Sequence, residues 1–433
     1  MNIALIVPEN QILSETKMEI YKWEDMWEYK ARKKLWSVPN LGLLTVAGML
    51  PDDFFVEYID LNYVQKSNPL CDWVFMSPST CQAERAYRIA GELRASGIKV
   101  AMGGVHVSVL PDEALQHADT VFIGEAEGAI EAFIADMKAG AAKPTYRGCS
   151  SPSLVQTPIP RYDLTACYPY NSIPVQTSRG CPHQCSFCVS SKLYGKRIRR
   201  KSITQIQKEL ENILSVHKRP LIFFTDDNIF VDNEYGLRLI RMIKKFNIRW
   251  YAFSDAGIAF KDDLLQEISE SGCLQLLIGF ESLEEENLAQ INRSRWKRDK
   301  LNEYEYVIAK IQGFGVGVVG SFVLGMDIDT SEYFDKLYSF IIKTNIYATN
   351  ITVLTPFPGT AVYSDLKRQN RIFADNWSKY NGFELNFQPE KMSVDAFEKE
   401  YIKLYKRINC SERRKRVSHY FIDIYKEKRK FCD

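Results

Sequence analysis

Apolar and polar positions alternate along the chain in two distinct periods. Short apolar runs at residues 3–7, 55–59, 73–76, 99–102 and 120–123 have the length of buried strands. Between the third and fourth runs, Ala86, Ile89, Ala90 and Leu93 recur at helical spacing within residues 82–96. Strands alternating with helices predict an α/β domain over residues 1–138, built on a doubly wound parallel sheet. Residues 139–170 change character, with Pro144, Pro152, Pro158, Pro160 and Pro169 among small and polar positions. Proline removes a backbone donor and disfavours helix in the residue before it, so this stretch reads as a linker. Alternation resumes with strand candidates at 173–178, 221–225, 249–254, 274–280, 317–324 and 350–355. Ile203, Ile206, Leu210, Ile213 and Leu214 form one face of an intervening helix. Six βα units over residues 171–360 do not close an eight-stranded barrel, so a partial, open barrel is expected. Residues 361–433 read as mostly helical, with Trp377, Tyr380, Phe383 and Phe387 ahead of an amphipathic stretch at 394–408.

A chain of 433 residues exceeds one usual hydrophobic core, which agrees with two domains and an appended helical region. Apolar content of 45% and charged content of 25% are those of a soluble globular protein. A net charge of +2 carries no global bias toward nucleic acid or anionic membrane. The basic clusters at 412–416 and 426–430 read as a solvated helix face in preference to a nucleic-acid patch. No apolar run is long enough to span a bilayer, and the N-terminus, lacking a basic leader region, reads as a first core strand. The ten cysteines show no disulfide framework, and a reducing, cytoplasmic location is expected.

Three of these cysteines cluster. Cys181, Cys185 and Cys188 are spaced Cys-x3-Cys-x2-Cys, with no fourth cysteine nearby in sequence. Structural zinc and electron-transfer [4Fe–4S] sites take four protein ligands. Three thiolates on one loop leave one iron of a [4Fe–4S] cluster open to an exogenous ligand. The loop follows the strand at 173–178, which puts it at the C-terminal mouth of a β/α unit, where such folds build sites. Zinc with a distant fourth ligand, or three unrelated buried thiols, are the competing readings. In this motif, its position and the strand-end motifs that follow, the sequence resembles the radical S-adenosylmethionine (SAM) superfamily over nearly its whole length. The resemblance implies a (β/α)6 TIM-like partial barrel, a [4Fe–4S] cluster on the cysteine trio, SAM chelating the open iron, and a cellular one-electron reductant. It also implies that Phe187 lies against the SAM adenine. His183, inside the loop, reads as a solvated residue.

Further SAM contacts are expected where successive strands end. Asp226, Asp227 and Asn228 stand at the family's post-strand polar motif, which receives the SAM ammonium. Adjacent residues on a strand point to opposite sides, so one of the two aspartates faces the site and the other serves a turn or cap. Glu281 and Ser282 match a pair that the family places near the SAM ribose and carboxylate. Thr355 and Pro356 fall where it places backbone contacts to adenine. Arg199 and Lys201 read equally well as carboxylate-neutralising groups and as surface charge.

For the N-terminal domain, dinucleotide-binding, response-regulator-like and cobalamin-binding readings compete. The first turn, Pro8 to Gln11, has no G-x-G-x-x-G, which argues against a nicotinamide. Ser77 and Ser79 end one strand, Gly103, Gly104, Val105 and His106 the next, and Gly124, Glu125 and Glu127 the fifth; small residues there leave an open mouth. These pieces resemble the cobalamin (B12)-binding domain fused upstream of one class of radical SAM enzymes. The Asp-x-His-x-x-Gly signature of cobalt ligation is absent, because no histidine has an aspartate two residues before it. Cobalamin is therefore expected base-off, without a histidine on cobalt, and His106 is expected at the mouth. The implied activity is C-methylation of an unactivated carbon through a 5′-deoxyadenosyl radical and methylcobalamin. The alternatives are a radical cyclisation, rearrangement or oxidation with the same cofactors, and a cobalamin-free radical SAM enzyme with a relict N-terminal domain. A non-enzymatic sensor is disfavoured by the open iron. The substrate, a small molecule or peptide, is not specified by the sequence.

Overall fold

The computed structural model describes residues 1–9, 38–64, 69–149, 151–292 and 295–430. Asn10 and Gln11 of the first turn lie outside the described residues. Six strands build the N-terminal sheet: β1 (Asn2–Val7), β2 (Phe55–Asp60), β3 (Trp73–Met76), β4 (Lys99–Met102), β5 (Thr120–Ile123) and β6 (Thr145–Arg147). All pairs are parallel, in the order β2-β1-β3-β4-β5-β6. Strand β6 comes from the stretch expected to be linker. It starts directly after Pro144, whose carbonyl accepts from Val121 N at 2.8 Å, so the proline sits where an edge strand tolerates it. Two apolar layers cover the sheet. Ala86, Tyr87, Ala90 and Leu93 of the helix Ala83–Ala95 bury one face, and Leu43, Leu44 and Phe133 lie in the core on the other.

The second domain holds β7 (Ser172–Val175), a two-residue pair β8 (Ser178–Arg179) and β9 (Arg199–Arg200), then β10 (Leu221–Phe224), β11 (Arg249–Ser254), β12 (Cys273–Glu281), β13 (Gly317–Leu324) and β14 (Ala348–Val353). The parallel order β7-β10-β11-β12-β13-β14 leaves β7 and β14 unpaired with each other, so the barrel is open as expected. The expected strand at 173–178 is interrupted after Val175, and its last residues turn away to pair antiparallel with β9. The helix Ile203–Val216 starts at a capping box between Ser202 and Gln205 and buries Ile206, Leu210 and Ile213. Each such side chain contributes about 1.5–3 kcal/mol of burial. Lys201 and Glu209 form a buried ion pair 2.5 Å apart beneath it, so Lys201 is not surface charge.

Three helices follow: Ala361–Arg368, Val394–Ile408 and Ser411–Lys430. Within the basic tail, Arg414, Lys415 and Arg416 are exposed, but Arg413 is buried and donates to the Ile346 and Ile408 carbonyls. The two domains are tied together by Tyr168 and Tyr170, which bond to Tyr58 and Asp60 at the end of β2. No helix among the described residues is long and apolar enough to cross a membrane.

Candidate active site

The cysteine loop grows from the β8–β9 pair. Gly180 has φ +104°, and a Cβ there would lie 2.4 Å from the Arg197 carbonyl oxygen, so only glycine lets the two arms cross this closely. The loop is then pinned along its length. Cys181 N donates to Gly195 O (3.2 Å), Ser186 N to Ile291 O (2.8 Å) and Val362 N to Ser186 O (3.3 Å). Asn292 Nδ2 lies 3.7 Å from Cys185 Sγ, placing an amide donor beside a candidate ligand sulfur. His183 is not solvated. Its Nε2 lies 2.7 Å from Asp255 Oδ2, and its ring packs on Trp296 with centroids 4.7 Å apart. Asn228 donates to the same Asp255 oxygen at 2.6 Å, so it clamps the loop from β10.

All three thiols are half-buried. Burial pushes Cys181 up to about 12 and Cys185 up to about 11, and raises Cys188 as well. Such groups become thiolates beside a cationic metal centre. Among the described residues, no three of His, Cys, Asp and Glu close on a single ion. An iron–sulfur cube takes each thiolate on a different iron, which suits three half-buried thiols on one loop.

The two adjacent aspartates part company. Asp226 is fully buried and accepts from Thr177 N (3.1 Å), Thr177 Oγ1 (2.8 Å) and Ser178 Oγ (2.5 Å), holding the root of the loop. Asp227 instead faces the cavity described below, close to Ser190. Glu281 ends β12 with φ +67°, where the register to β13 slips by one residue. Its Oε1 lies 2.8 Å from Lys297 Nζ, and both side chains are buried. Ser282 is engaged with Tyr333 Oη, Glu284 N and Asn287 Nδ2 and closes the turn after β12. Thr355 bonds back to Val353 O beside buried Pro356, and half-buried Phe187 packs against the barrel core.

A cavity of about 480 Å³ lies where the C-terminal ends of the two sheets meet. Ser77, Gly103, Gly104, Val105, Gly124, Glu125 and Glu127 form its N-domain wall. Gln176, Arg179, Tyr194, Thr225 and Asp227 face them from the barrel. Gly104 has φ +90°, and a Cβ there would stand 2.3 Å from Ser77 Oγ, so these two residues are shaped to each other. Phe75, Met102 and Phe122 give the cavity an apolar floor, and among the described residues no histidine lines it. A bulky cofactor such as cobalamin suits these small-residue walls, and among the described lining residues none would ligate cobalt through imidazole. His106 is not at the mouth. It is fully buried 3.0 Å from Tyr87 Oη, beside Glu113 and edge-on to Trp377, and burial lowers its pKa. Ser79 points away as well, capping the short helix Thr80–Gln82 through Gln82.

A three-cysteine loop stands next to a glycine-edged cleft, and the helix that follows the loop lends Ser190 and Tyr194 to the cleft's wall. Residues 175–341 match the Radical SAM superfamily and residues 36–134 the B12 binding domain. The chain is 30% identical over 379 residues to the bacteriochlorophyllide d C-12(1)-methyltransferase of Chlorobaculum tepidum, covering 85% of this chain and 82% of the relative. It is 27% identical over 381 residues to the bacteriochlorophyllide d C-8(2)-methyltransferase of the same organism, 84% of each chain. The solved structure of the cobalamin-dependent S-adenosylmethionine radical enzyme OxsB with aqua-cobalamin bound has the same fold. Its TM-score is 0.69 at 14% identity, over 92% of this chain and 66% of that one. The protein belongs to the radical SAM superfamily, in the class that carries a B12-binding domain ahead of the barrel. It is an enzyme that uses a [4Fe–4S] cluster, SAM and cobalamin.

Proposed function

We propose that the protein is a C-methyltransferase acting on an unactivated carbon, with the cysteine trio holding the cluster and Asp227 and Glu281 holding SAM. When bound, the cofactors supply the electron, the hydrogen-abstracting radical and the methyl group. The observation that carries the reading is a cavity whose walls join Ser77 and Gly104 of one sheet to Asp227 of the other. In it, Asp227 offers acceptor oxygens for the SAM ammonium. Lys297, 2.8 Å from Glu281 Oε1, holds that side chain in place at the end of β12. The apolar floor and Tyr194 exclude water from a site where a radical must survive. Among the described residues the cavity wall carries no histidine to act as a general base, and this chemistry needs none. Methyl transfer is favoured over cyclisation or rearrangement because both relatives described above are named as methyltransferases. We place the protein in the cytoplasm, where a thiolate-bound cluster stays reduced.

The test uses reconstituted enzyme, a one-electron reductant and SAM labelled with deuterium in its methyl group, with bacteriochlorophyllide d as the first substrate tried and other polycyclic candidates after it. A product carrying the labelled methyl supports the reading. A product of rearranged or oxidised skeleton without the label supports the second reading and ends the first.

Cobalamin binding has its own test. Gly104 is a poor probe, since any side chain there is strained by its positive φ. Gly42, in the helix Leu41–Ala47 and also in the cavity wall, has an ordinary φ, and its Cβ would meet only Asn40 Oδ1 at 3.3 Å and Ser77 Oγ at 4.0 Å. Gly42→Leu therefore fills the cavity without straining the backbone. It is expected to weaken hydroxocobalamin uptake by about tenfold or more, the cost of displacing well-packed contacts, with the cluster still loaded. Unchanged uptake, read from the visible spectrum after gel filtration, would place cobalamin elsewhere.

A further inference from the structure

Beside the cavity lies a group of four buried charges that links the two domains. Arg179 on β8 and Arg199 on β9 are cross-strand neighbours at the base of the cysteine loop. Alone, two like charges so placed would repel. Each turns its guanidinium to the N-terminal domain. Arg199 grips Glu125 with two nitrogens, at 2.8 and 2.9 Å, and also donates to Pro152 O. Arg179 reaches Glu125 at 2.5 Å and Glu127 at 2.9 Å, and its Nε donates to Gln176 at 2.7 Å. The four side chains are only 5–12% exposed. Glu125 and Glu127 sit in the loop 124–128, between two glycines of positive φ. On its other sides that loop is held by Ser108, which accepts from Gly124 N, and by Cys149 N, which donates to Glu127 O.

Burying two ion pairs is a poor route to stability, because desolvation offsets most of the attraction. It fixes geometry well, since a forked guanidinium tolerates few arrangements of its carboxylates. Arg179 is two residues before Cys181, while its partners line the wall expected to hold cobalamin. We propose that Arg179 is a positioning residue that sets the separation of the two cofactor sites by locking the loop 124–128 to the root of the cysteine loop. The proposal rests on the cofactor assignment above.

Cob(II)alamin and the reduced cluster are both paramagnetic, so their mutual relaxation enhancement reports their separation. The wild-type protein loaded with both is expected to show a cob(II)alamin resonance whose power saturation shifts when the cluster is reduced. Arg179→Met keeps the side-chain bulk and removes the fork; at wild-type iron and cobalamin content it is expected to lose most of that shift, and Arg179→Lys to recover part of it. If Arg179→Met takes up too little iron, Glu127→Gln runs the same measurement with the cysteine strand untouched. A second arm needs no cofactor: amide hydrogen exchange over residues 124–128 is expected to rise about tenfold in Arg179→Met, as local opening becomes easier. A saturation shift equal to wild type in a fully loaded variant overturns the proposal, as does unchanged exchange. A wild-type protein that takes up no cobalamin overturns the cofactor assignment instead, and the exchange arm then decides whether Arg179 locks the loop.

Discussion

Alanine at Cys181, Cys185 and Cys188 together removes the cluster and, with it, all SAM cleavage. No imidazole on the loop is free to substitute, because His183 is committed to Asp255, and the neutral Asn292 amide is no replacement for a thiolate on iron. Anaerobic reconstitution of the wild type is expected to give about four irons per chain, and of the triple variant almost none. The fold should survive the change. The backbone bonds from Cys181 to Gly195, Ser186 to Ile291 and Val362 to Ser186 do not involve the thiols. The melting temperature is therefore expected to fall by only a few degrees, about 1–2 kcal/mol for trimming three half-buried side chains. Iron analysis, the visible absorption of the cluster and chromatography of 5′-deoxyadenosine check this. A triple variant that keeps a normal cluster would show that the iron is held elsewhere.

The parts of this site legible in the sequence are those written in local patterns. Five of the six barrel strands appear within two residues of their expected bounds, because buried parallel strands are short apolar runs flanked by turns, while β7 stops three residues early where the chain turns away to β8. The cysteine spacing is local too, as are the small residues that edge the cavity. What was hidden depends on where a side chain turns after the strand ends. His106 follows Val105, a cavity residue, yet one step round its short helix its side chain leaves the cavity and is enclosed by Tyr87, Glu113 and Trp377. His183 looked solvated because its partner, Asp255, is 72 residues away. Lys297 sits in a run of charged residues that reads as surface, and only its pairing with Glu281 reveals it as buried. Arg199 could not be told from surface charge until Glu125, 74 residues earlier, came to meet it. Strand β6 was hidden by its own brevity and the proline before it. Buried ionic partners carry no local signature, since each half alone resembles a solvated charge.

Asp226 and Asp227 were indistinguishable in sequence beyond the expectation that they face opposite ways, and they should now fail in opposite ways. Asp226→Ala strips an acceptor from Thr177 N, Thr177 Oγ1 and Ser178 Oγ at a fully buried site. Leaving such donors unsatisfied costs about 3 kcal/mol or more. For a domain of this size that corresponds to a fall in melting temperature of roughly 6–12 °C. Cluster content should drop with it, because those donors belong to the root of the cysteine loop. Asp227→Ala removes a carboxylate that faces the cavity and leaves the strand beneath it intact. Its melting temperature should stay within about 2 °C of wild type and its iron content unchanged. Its dissociation constant for SAM should rise between about tenfold and a hundredfold, the worth of one charge-assisted hydrogen bond. Circular dichroism melts, iron analysis and equilibrium dialysis with labelled SAM measure the three quantities on each variant. An Asp227→Ala protein that binds SAM normally but melts early would reverse the two roles. Equal losses of stability and affinity in both variants would mean that neither aspartate acts on SAM directly, and Glu281 would then be the acceptor to test.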